Sequence, residues 1–393
     1  MSKINCLINP NKSTPKDAVF KLVSSEIIEQ VLRFHQSIPE YKTTPLINLK
    51  SLSQSLNISH LFVKDESHRF ELNAFKMLGC SYAMSVFLAE KLGLPPSEIT
   101  FQNIIKRRTE YEDCIFVTAT DGNHGRAVAW SAKLFGCQSH IYMPAGSSIA
   151  RLNAIKKYSP NALITDMGYD DTVAFSNQQA KENNWTLIQD TAWDGYREIP
   201  DNIMRGYFSL LSEYEQQSND DWPSHVFLQA GVGSLAAAVV AYFIAHKNAT
   251  PKFILVEPTG APCFYESMKI NNGRPHRTQG ELKTIMAGLA CGEPSISAWE
   301  ILNKAVDVFV VCDDEISIGG MKRYAFPIGN DQKIISGESG AVTLGLVEAI
   351  LSDELYSSIR NDLELNLQSK VLLFSTEGNT DPEFYTSVIS ETF

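Results

Sequence analysis

Short apolar runs alternate with longer amphipathic runs along this chain of 393 residues. The run Cys114–Ala119 is mostly apolar and is followed, after a turn, by a helical pattern that reaches Phe135 and stops at Gly136. A further apolar run, Gln138–Met143, ends at Pro144. Apolar strands that alternate with helices are typical of parallel sheets covered by helices. The pattern therefore predicts an α/β fold.

The same order recurs in the second half of the chain. A strand is predicted at 226–229, a glycine turn at 230–234 and a helix of small residues at 235–246. More strands are predicted at three later apolar runs, 253–256, 308–311 and 371–374. Ligands of such sheets bind at the carboxyl ends of strands. The turns at 121–125 and 230–234 are therefore the candidate binding edges.

Composition limits the function classes. The chain is 44% hydrophobic and 20% charged, which is ordinary for a globular protein, and its net charge is −11. An acidic chain without long Lys/Arg runs is a poor candidate for binding nucleic acid or anionic membranes. No apolar run approaches the roughly 20 residues of a membrane-spanning helix. Residues 1–20 are polar and do not resemble a signal peptide, so a cytoplasmic protein is predicted.

The chain has seven cysteines. An odd number without CxxC spacing argues against a disulfide scaffold and against a zinc site. Buried free thiols are therefore expected. Cys263 and Cys291 lie in loops rich in glycine and proline, and our hypothesis for this pair is a disulfide that ties one loop to the other.

Lys76 is the first candidate for chemistry. It opens a helix-like run, Ala74–Leu94, just after a possible cap at Asn73. The positive end of a helix dipole and desolvation by Phe75 and Leu78 both disfavour an ammonium group. Such a lysine is a free amine that can form a Schiff base. Taken alone, it is equally a partly exposed lysine on an ordinary amphipathic helix.

The run Gly231-Val232-Gly233-Ser234 lies between a predicted strand and a predicted helix. Glycines allow backbone N–H groups to approach an anion, and a helix N-terminus favours negative charge. Ser234 adds a hydroxyl donor. The run is not the GxGxxG of dinucleotide-binding folds, and a tight turn without a ligand is the alternative.

These segments resemble the fold-type-II pyridoxal-phosphate (PLP) enzymes, the group of threonine deaminase, serine dehydratase and threonine synthase. Within that group the chain is most similar to the diaminopropionate ammonia-lyases. Four runs carry this likeness: Leu72–Gly79, Ala119–Arg126, Thr284–Ala290 and Ser336–Gly340. Glu71 and Cys80 depart from that branch, where glycine is expected at both positions.

The resemblance implies a tryptophan synthase β-like fold of two domains that contain parallel sheets, with PLP between them. The smaller domain is inserted into the larger one. We place the smaller domain at 86–190 and the larger at 1–85 plus 191–393. The group is commonly dimeric, so a homodimer that acts on a small amino acid is expected.

The resemblance also assigns residues to PLP. Lys76 carries the cofactor as a Schiff base, and Gly231, Val232, Gly233 and Ser234 hold its phosphate. The remaining contacts are Asn123 at the phenolic oxygen, Glu338 beside the pyridine ring, and Thr376 at the ring nitrogen, with Ser375 as the alternative. A neutral hydroxyl leaves the ring nitrogen unprotonated, which favours prompt loss of a β-substituent over transamination.

Two carboxylates complete the expected site. Thr120, Asp121, Gly122 and Asn123 are expected to hold the substrate carboxylate. Asp121 is the expected proton acceptor and Asp190 the second acid/base group, and two bases on different faces would serve both enantiomers. Without the resemblance, the alternative for Asp121 is an Asx-turn residue, and Asp190 is a polar residue after a strand.

The expected function is α,β-elimination of D- and L-2,3-diaminopropionate to pyruvate and ammonia. The nearest alternative is a D- or L-serine/threonine dehydratase of the same fold. A non-catalytic PLP-binding protein is an alternative of another class, and a Rossmann-type binding protein without PLP is the last.

Overall fold

The apolar runs of the sequence form strands in the computed structural model, which describes residues 4–120, 122–219, 221–246 and 251–390. The strands of the described chain are β1 (Ile4–Ile8), β2 (Leu46–Asn48), β3 (His60–Asp65), β4 (Ile115–Ala119), β5 (Gln138–Met143), β6 (Asn161–Ile164), β7 (Thr186–Leu187), β8 (His225–Gln229), β9 (Lys252–Pro258), β10 (Val308–Cys312) and β11 (Lys370–Ser375). Each strand predicted from the sequence is thereby confirmed, with ends that differ by a few residues.

Helices fill most of the remaining chain. The α-helices are α1 (Lys16–Leu22), α2 (Ser25–Gln36), α3 (Lys50–Ser55), α4 (Lys76–Lys91), α5 (Phe101–Ile105), α6 (Asn123–Phe135), α7 (Ile149–Lys156), α8 (Tyr169–Asn183), α9 (Glu198–Gly206), α10 (Phe208–Ser218), α11 (Ser234–His246), α12 (Cys263–Ile270), α13 (Ile296–Ala305), α14 (Asp314–Ala325), α15 (Glu338–Ser352), α16 (Ser357–Asp362) and α17 (Pro382–Ser390). Short 3-10 segments lie at Glu66–Glu71, Pro96–Glu98, Arg108–Glu110, Ala287–Leu289 and Glu354–Tyr356.

The chain divides into two units. The first consists of the residues up to Val23, Thr43–Ala74 and the chain from Leu210 onward, and the second consists of Ser24–Lys42 and Phe75–Ser209. The second unit differs from the predicted small domain, 86–190, because it is wider at both ends and includes an N-terminal segment. That segment carries α2, which packs on α4 and α9. Helical periodicity shows that a helix has a buried face but does not show what covers it.

The first unit contains a seven-stranded sheet in the order β1-β10-β9-β8-β11-β3-β2. The five inner strands run parallel, and the two edge strands pair antiparallel to their neighbours. The helix α11 is apolar on all sides, and its residues Ala236–Ala241 are fully buried. A helix without a polar face is stable only inside a core. Its N-terminus follows β8 directly, so the glycine turn lies at a strand's carboxyl end.

The second unit contains a four-stranded parallel sheet in the order β6-β5-β4-β7. The predicted β4–α6–β5 unit is confirmed, and Gly136 ends α6 with a left-handed φ of 74°. The α/β class predicted from the sequence is therefore correct. Within the described residues, no helix is both long enough and apolar enough to cross a membrane.

Candidate active site

Lys76 is the first residue of α4, and Phe75 precedes it at the cap position without a side-chain cap bond. The predicted cap at Asn73 is wrong. Asn73 has a left-handed φ of 54°, whereas a capping residue needs an extended backbone. The helix therefore begins two residues later than the sequence indicated, at the lysine itself.

Close contact with α9 fixes the start of α4. A Cβ atom on Gly79 would lie 2.8 Å from side-chain atoms of Ile203 and Tyr207. A Cβ atom on Gly206 would lie 2.5 Å from the carbonyl oxygen of Leu78. Only glycine permits two helix backbones to approach this closely. Lys76 is therefore carried by a helix whose position is fixed by close contact with α9.

A strained turn leads into Lys76. Phe70, Glu71 and Asn73 have φ values of 50°, 58° and 54°, and side chains rarely adopt this left-handed region. The Gly378 N–H donates to the Asn73 carbonyl at 2.9 Å, and Ala74 forms a bridge with Glu377. The turn is therefore attached to the segment that follows β11.

A buried charged cluster holds the beginning of this turn. Arg69 donates to Glu66 and to Glu213, each at 2.8 Å, and Lys64 donates to Glu213 at 2.7 Å. All four side chains are almost fully buried. The Thr44 hydroxyl also donates to Glu66 at 2.6 Å. Two cations and two carboxylates make the cluster neutral, which is the condition for burying charge.

Lys76 forms an ion pair with Asp190, with 2.7 Å between Nζ and Oδ2. The side chains are 18% and 7% exposed. The carboxylate stabilises the ammonium form, which differs from the free-amine environment expected from the helix start alone. Asp190 follows the short strand β7. The resemblance made Asp190 the second acid/base carboxylate, on the other side of the substrate from Asp121, and the structure brings it into contact with Lys76.

Asp190 is ionised in spite of its burial. Burial alone would raise its pKa, but His124 and Lys76 outweigh burial and hold the pKa of the carboxyl well below its usual range. The group is therefore a carboxylate at neutral pH, which is the form that accepts a proton.

His124 and Cys80 lie behind Asp190. His124 Nε2 donates to the Ile188 carbonyl at 2.8 Å, and its Nδ1 faces Cys80 Sγ at 3.7 Å and Asp190 Oδ2 at 3.6 Å. Burial lowers the pKa of His124, although Asp190 opposes this. His124 Nδ1 therefore lies between the Cys80 thiol and the Asp190 carboxylate. Cys80 thus replaces the expected glycine with a thiol that contacts the histidine.

The turn before α6 is shaped by Thr120. Its Oγ1 accepts the N–H groups of Gly122 at 2.9 Å and of Gly125 at 3.0 Å. The hydroxyl therefore occupies two N–H groups of the turn expected to hold a carboxylate. Asn123 begins α6, three residues earlier than predicted. Asp121 lies outside the described residues.

Sequence reasoning missed Arg151, which lies beside this turn. A Cβ atom on Gly122 would be 3.2 Å from Arg151 Cδ. Arg151 belongs to α7, which the prediction did not include, and no local pattern relates it to Gly122. A guanidinium group next to the turn is suited to a carboxylate ligand.

The glycine turn of the first unit has the shape of an anion cradle. Gly233 has a φ of 92°, and a Cβ atom there would lie 2.4 Å from Phe264 Cζ. A Cβ atom on Gly231 would lie 2.9 Å from both Cys291 Sγ and the Gly288 carbonyl oxygen. Side chains cannot replace either glycine. Because the turn opens onto the N-terminus of α11, it fits a phosphate group.

Gln229 directs the hydroxyl of Thr376. Gln229 Nε2 donates to Thr376 Oγ1 at 3.0 Å and to the Phe374 carbonyl at 2.9 Å. The Thr376 hydroxyl accepts there, so its own hydrogen can point at a further acceptor such as a ring nitrogen. The alternative, Ser375, already donates to Ser336 at 3.0 Å. The sequence did not identify Gln229, since a buried glutamine on a strand gives no pattern.

Glu338 is the first residue of α15, and it is 3% exposed. A Cβ atom on Gly337 would lie 2.7 Å from the Gly378 carbonyl oxygen, and Glu377 accepts the Ser339 N–H at 2.9 Å. The start of α15, which carries Glu338, and the segment after β11, which carries Thr376, are thus packed together. The expectation that both residues contact the same PLP ring requires this.

All seven cysteines are free thiols. The predicted disulfide between Cys263 and Cys291 is wrong. Cys263 Sγ instead donates to the Gly231 carbonyl at 3.6 Å, while Cys291 Sγ lies 2.9 Å from the position of a Cβ atom on Gly231. Both thiols border the glycine turn without bonding to each other.

The comparisons agree with this chemistry. Residues 38–358 match the family described as "Pyridoxal-phosphate dependent enzyme", and the chain belongs to that family. The tight glycine turn at a helix start, the lysine, and the threonine directed by Gln229 suit the phosphate, the aldehyde and the ring nitrogen of PLP. PLP is therefore the cofactor, as predicted.

Particular relatives narrow the family. The diaminopropionate ammonia-lyase of Salmonella typhimurium is 44% identical over 379 residues, which are 95% of this chain and 94% of that one. The structure of the Escherichia coli diaminopropionate ammonia lyase in complex with D-serine has a TM-score of 0.91 and 40% identity, covering 99% of this chain and 97% of that one. The same enzyme with an aminoacrylate-PLP azomethine reaction intermediate has a TM-score of 0.90, with 40% identity and the same coverage. The predicted resemblance is confirmed.

Proposed function

We propose that this enzyme eliminates ammonia from 2,3-diaminopropionate and releases pyruvate and a second ammonia. The observation that carries the proposal is the contact of Lys76 Nζ with Asp190 Oδ2 at 2.7 Å. It joins the amine that would bind the cofactor to a carboxylate that can accept a proton. The substrate follows from the 44% identity to the Salmonella enzyme over nearly the full length of both chains.

The cofactor is held by residues in distinct roles. Lys76 binds its aldehyde, and the turn Gly231, Val232, Gly233 and Ser234 binds its phosphate. Asn123 contacts its phenolic oxygen, Glu338 lies beside its ring, and Thr376 donates to its ring nitrogen. When bound, PLP withdraws electrons from the substrate's α-carbon and so makes the α-proton removable.

The chain's own carboxylates move the protons. Asp190 accepts the α-proton of one enantiomer, because it is ionised at working pH and a carboxylate is the form that accepts a proton. Asp121 serves the other enantiomer. The substrate carboxylate is held at the turn of Thr120, Asp121, Gly122 and Asn123, by donors other than the Gly122 N–H, which the Thr120 hydroxyl already accepts. A carboxylic acid formed in this way, or the Lys76 ammonium, then gives a proton to the departing β-amino group.

A D- or L-serine dehydratase is the second candidate, and the D-serine complex of the similar Escherichia coli enzyme favours it. The two chemistries share every group described above and differ in the leaving group. Ammonia leaves from a protonated amino group more readily than hydroxide leaves from a hydroxyl group, so a site with modest acid catalysis favours the diamine.

The decisive experiment measures pyruvate release from D- and L-diaminopropionate and from D- and L-serine. We expect turnover of both diamine enantiomers to exceed that of either serine. Asp121→Asn and Asp190→Asn should each reduce one enantiomer by about 10²–10⁴-fold. Equal loss of both enantiomers in each variant would contradict the assignment of separate bases.

A second experiment tests the lysine. Borohydride reduction of the native protein, followed by digestion, should place a pyridoxyl group on Lys76. A tag on another lysine, or none, would refute the proposed site.

We further infer a cytoplasmic homodimer without nucleic-acid or membrane partners. The acidic composition and the likeness to the dimeric members of the group support this. Light scattering of the purified protein checks it, and a monomeric mass would contradict the dimer.

A further inference from the structure

Glu257 is a buried acid next to the glycine turn, and the proposed reaction does not use it. It lies near the carboxyl end of β9, beside the position where the Ala230 N–H donates to the Val256 carbonyl at 2.9 Å. Its side chain is 0% exposed. Its two oxygens accept the N–H groups of Phe264 at 2.8 Å and Tyr265 at 2.7 Å. Glu257 therefore holds the first turn of α12.

The first turn of α12 in turn supports the glycine turn. The Cys263 thiol donates to the Gly231 carbonyl at 3.6 Å. The Phe264 ring lies against Gly233, with Cζ 2.4 Å from the position of a Cβ atom there. Any change in how Glu257 holds α12 is therefore transmitted to the two glycines through these two residues.

The Cys263 thiol has one hydrogen and two acceptors. These are the Gly231 carbonyl and the Glu257 carboxyl group. An ionised carboxylate is the stronger acceptor and attracts the S–H. A neutral carboxyl group is a weaker acceptor and carries its own donor, so the S–H then goes to Gly231. The protonation of Glu257 thus decides whether Gly231 is held.

We propose that Glu257 is a positioning residue that couples one proton to phosphate binding. Its neutral form keeps the turn Gly231–Ser234 in the anion-binding shape, and its ionised form releases Gly231 and repels the anion. This inference rests on the proposed function, in which that turn holds the phosphate of PLP.

The groups around Glu257 determine the pH at which it titrates. Burial raises the pKa of Glu257 to about 8, the two backbone N–H groups and Cys263 oppose this, and Glu266 on α12 adds to the rise. Cys312 on β10 faces the Glu257 backbone, and burial raises the pKa of that thiol and of Cys263. A phosphate bound close to the carboxyl group would raise the Glu257 pKa further, since like charges disfavour ionisation. PLP affinity is therefore highest below pH 8 and falls above it.

The test uses the full chain freed of cofactor. Dissociation constants for PLP and for pyridoxal, which lacks the phosphate, are measured from pH 7 to pH 9.5 by absorbance and by tryptophan fluorescence. For wild type we expect PLP affinity to fall by about tenfold or more relative to pyridoxal, because each unit of ligand-induced pKa shift is a tenfold change in affinity. In Glu257→Gln, which is neutral at every pH, that relative fall should disappear.

Two thiol variants serve as controls. Cys291 also borders Gly231, so Cys291→Ser must retain the pH dependence. Cys263→Ala removes the thiol that links Glu257 to Gly231 and should weaken PLP binding several-fold at pH 7. Cys312→Ala removes a buried thiol near the same strand and should leave PLP binding unchanged. If Glu257→Gln does not fold, the contrast between these last two variants still decides the inference.

The outcomes separate the two proposals. If Glu257→Gln keeps the wild-type pH dependence, or if Cys263→Ala behaves like Cys312→Ala, the coupling is refuted while the phosphate site stands. If wild type binds PLP no more tightly than pyridoxal at pH 7, the phosphate role of the turn fails first, and the inference fails with it.

Discussion

Asp190 shows how one side chain can be prepared as a base before any substrate arrives. A buried carboxyl group tends to keep its proton, yet His124 and Lys76 hold the pKa of this one below its ordinary value. A depressed pKa adds stability above the unfolded value near 3.9, and that stability is lost only as the pH falls further. The Lys76–Asp190 pair is therefore fully formed across the neutral range.

Removing this charge should cost stability as well as activity. In Asp190→Asn without cofactor, we expect the free energy of unfolding at pH 7 to fall by about 2 kcal/mol, because a charged hydrogen bond in a poorly hydrated place is lost. Urea denaturation measures this. The matched control is Asp113→Asn, which breaks the more exposed pair with Lys91 and should cost less than about 0.5 kcal/mol. Equal effects would contradict a special role for the pair.

Glu71 is a second informative residue, because it holds a φ of 58° with an exposed side chain. The left-handed region costs a residue with a Cβ about 1 kcal/mol, and glycine avoids that cost. Glu71→Gly should therefore raise the free energy of unfolding by about 1 kcal/mol. Glu300→Gly, within α13, should lower it by about 1 kcal/mol. A loss in both variants would show that Glu71 is not strained.

A buried cluster of charged side chains joins elements that are far apart in the sequence. The cluster of Lys64, Glu66, Arg69 and Glu213 joins β3, the turn after it and α10. Burial alone would raise the Glu213 pKa, but Arg69 and Lys64 lower it from its ordinary value near 4.5 to about 2. Stability from this carboxylate is present above pH 4.5 and is lost as the pH falls toward 2. The cluster fixes the start of the segment that leads to Lys76.

Glu213→Gln should lower the free energy of unfolding at pH 7 by about 3–5 kcal/mol, because it leaves two buried cations short of a partner. The variant should also lose less stability than wild type between pH 5 and pH 3. Urea denaturation at the three pH values tests both statements. The control is Glu348→Gln, whose pair with Arg323 is partly exposed on both sides and should cost about 1 kcal/mol or less.

Some elements could be predicted from local signals and others could not. The strand Gln138–Met143 and the stop at Gly136 follow from an apolar run and a left-handed glycine, which are written in neighbouring residues. The start of α4 could not be predicted, since Asn73 has the side chain of a cap but the wrong backbone. Arg69 and Glu213 are separated by 144 positions, so no window of sequence contains both.

Some residues of the candidate site could likewise be predicted from the sequence, and others could not. Lys76 and the glycine turn could be recognised because each has a short pattern. Gln229, Glu257 and Arg151 could not, because each acts through contacts with residues on other elements. The disulfide prediction failed for the same reason, since loop composition does not report where two thiols point.

At the scale of the whole molecule, binding of the cofactor should stabilise the folded state. PLP at 100 times its dissociation constant stabilises a folded state that binds it by about 2.7 kcal/mol. We therefore expect thermal unfolding of the cofactor-free protein to shift upward by a few degrees when PLP is added. Differential scanning calorimetry measures the shift. Lys76→Ala should show a smaller one, and an equal shift would mean that the covalent bond contributes nothing.

The buried thiols can report on the opening of each unit of the protein. Burial raises the pKa of Cys80, Cys137, Cys263 and Cys312, so alkylating agents find little thiolate while the chain is folded. The first two lie in one unit and the last two in the other. The rate at which each becomes labelled will therefore time the opening of each half separately, with no engineered probe.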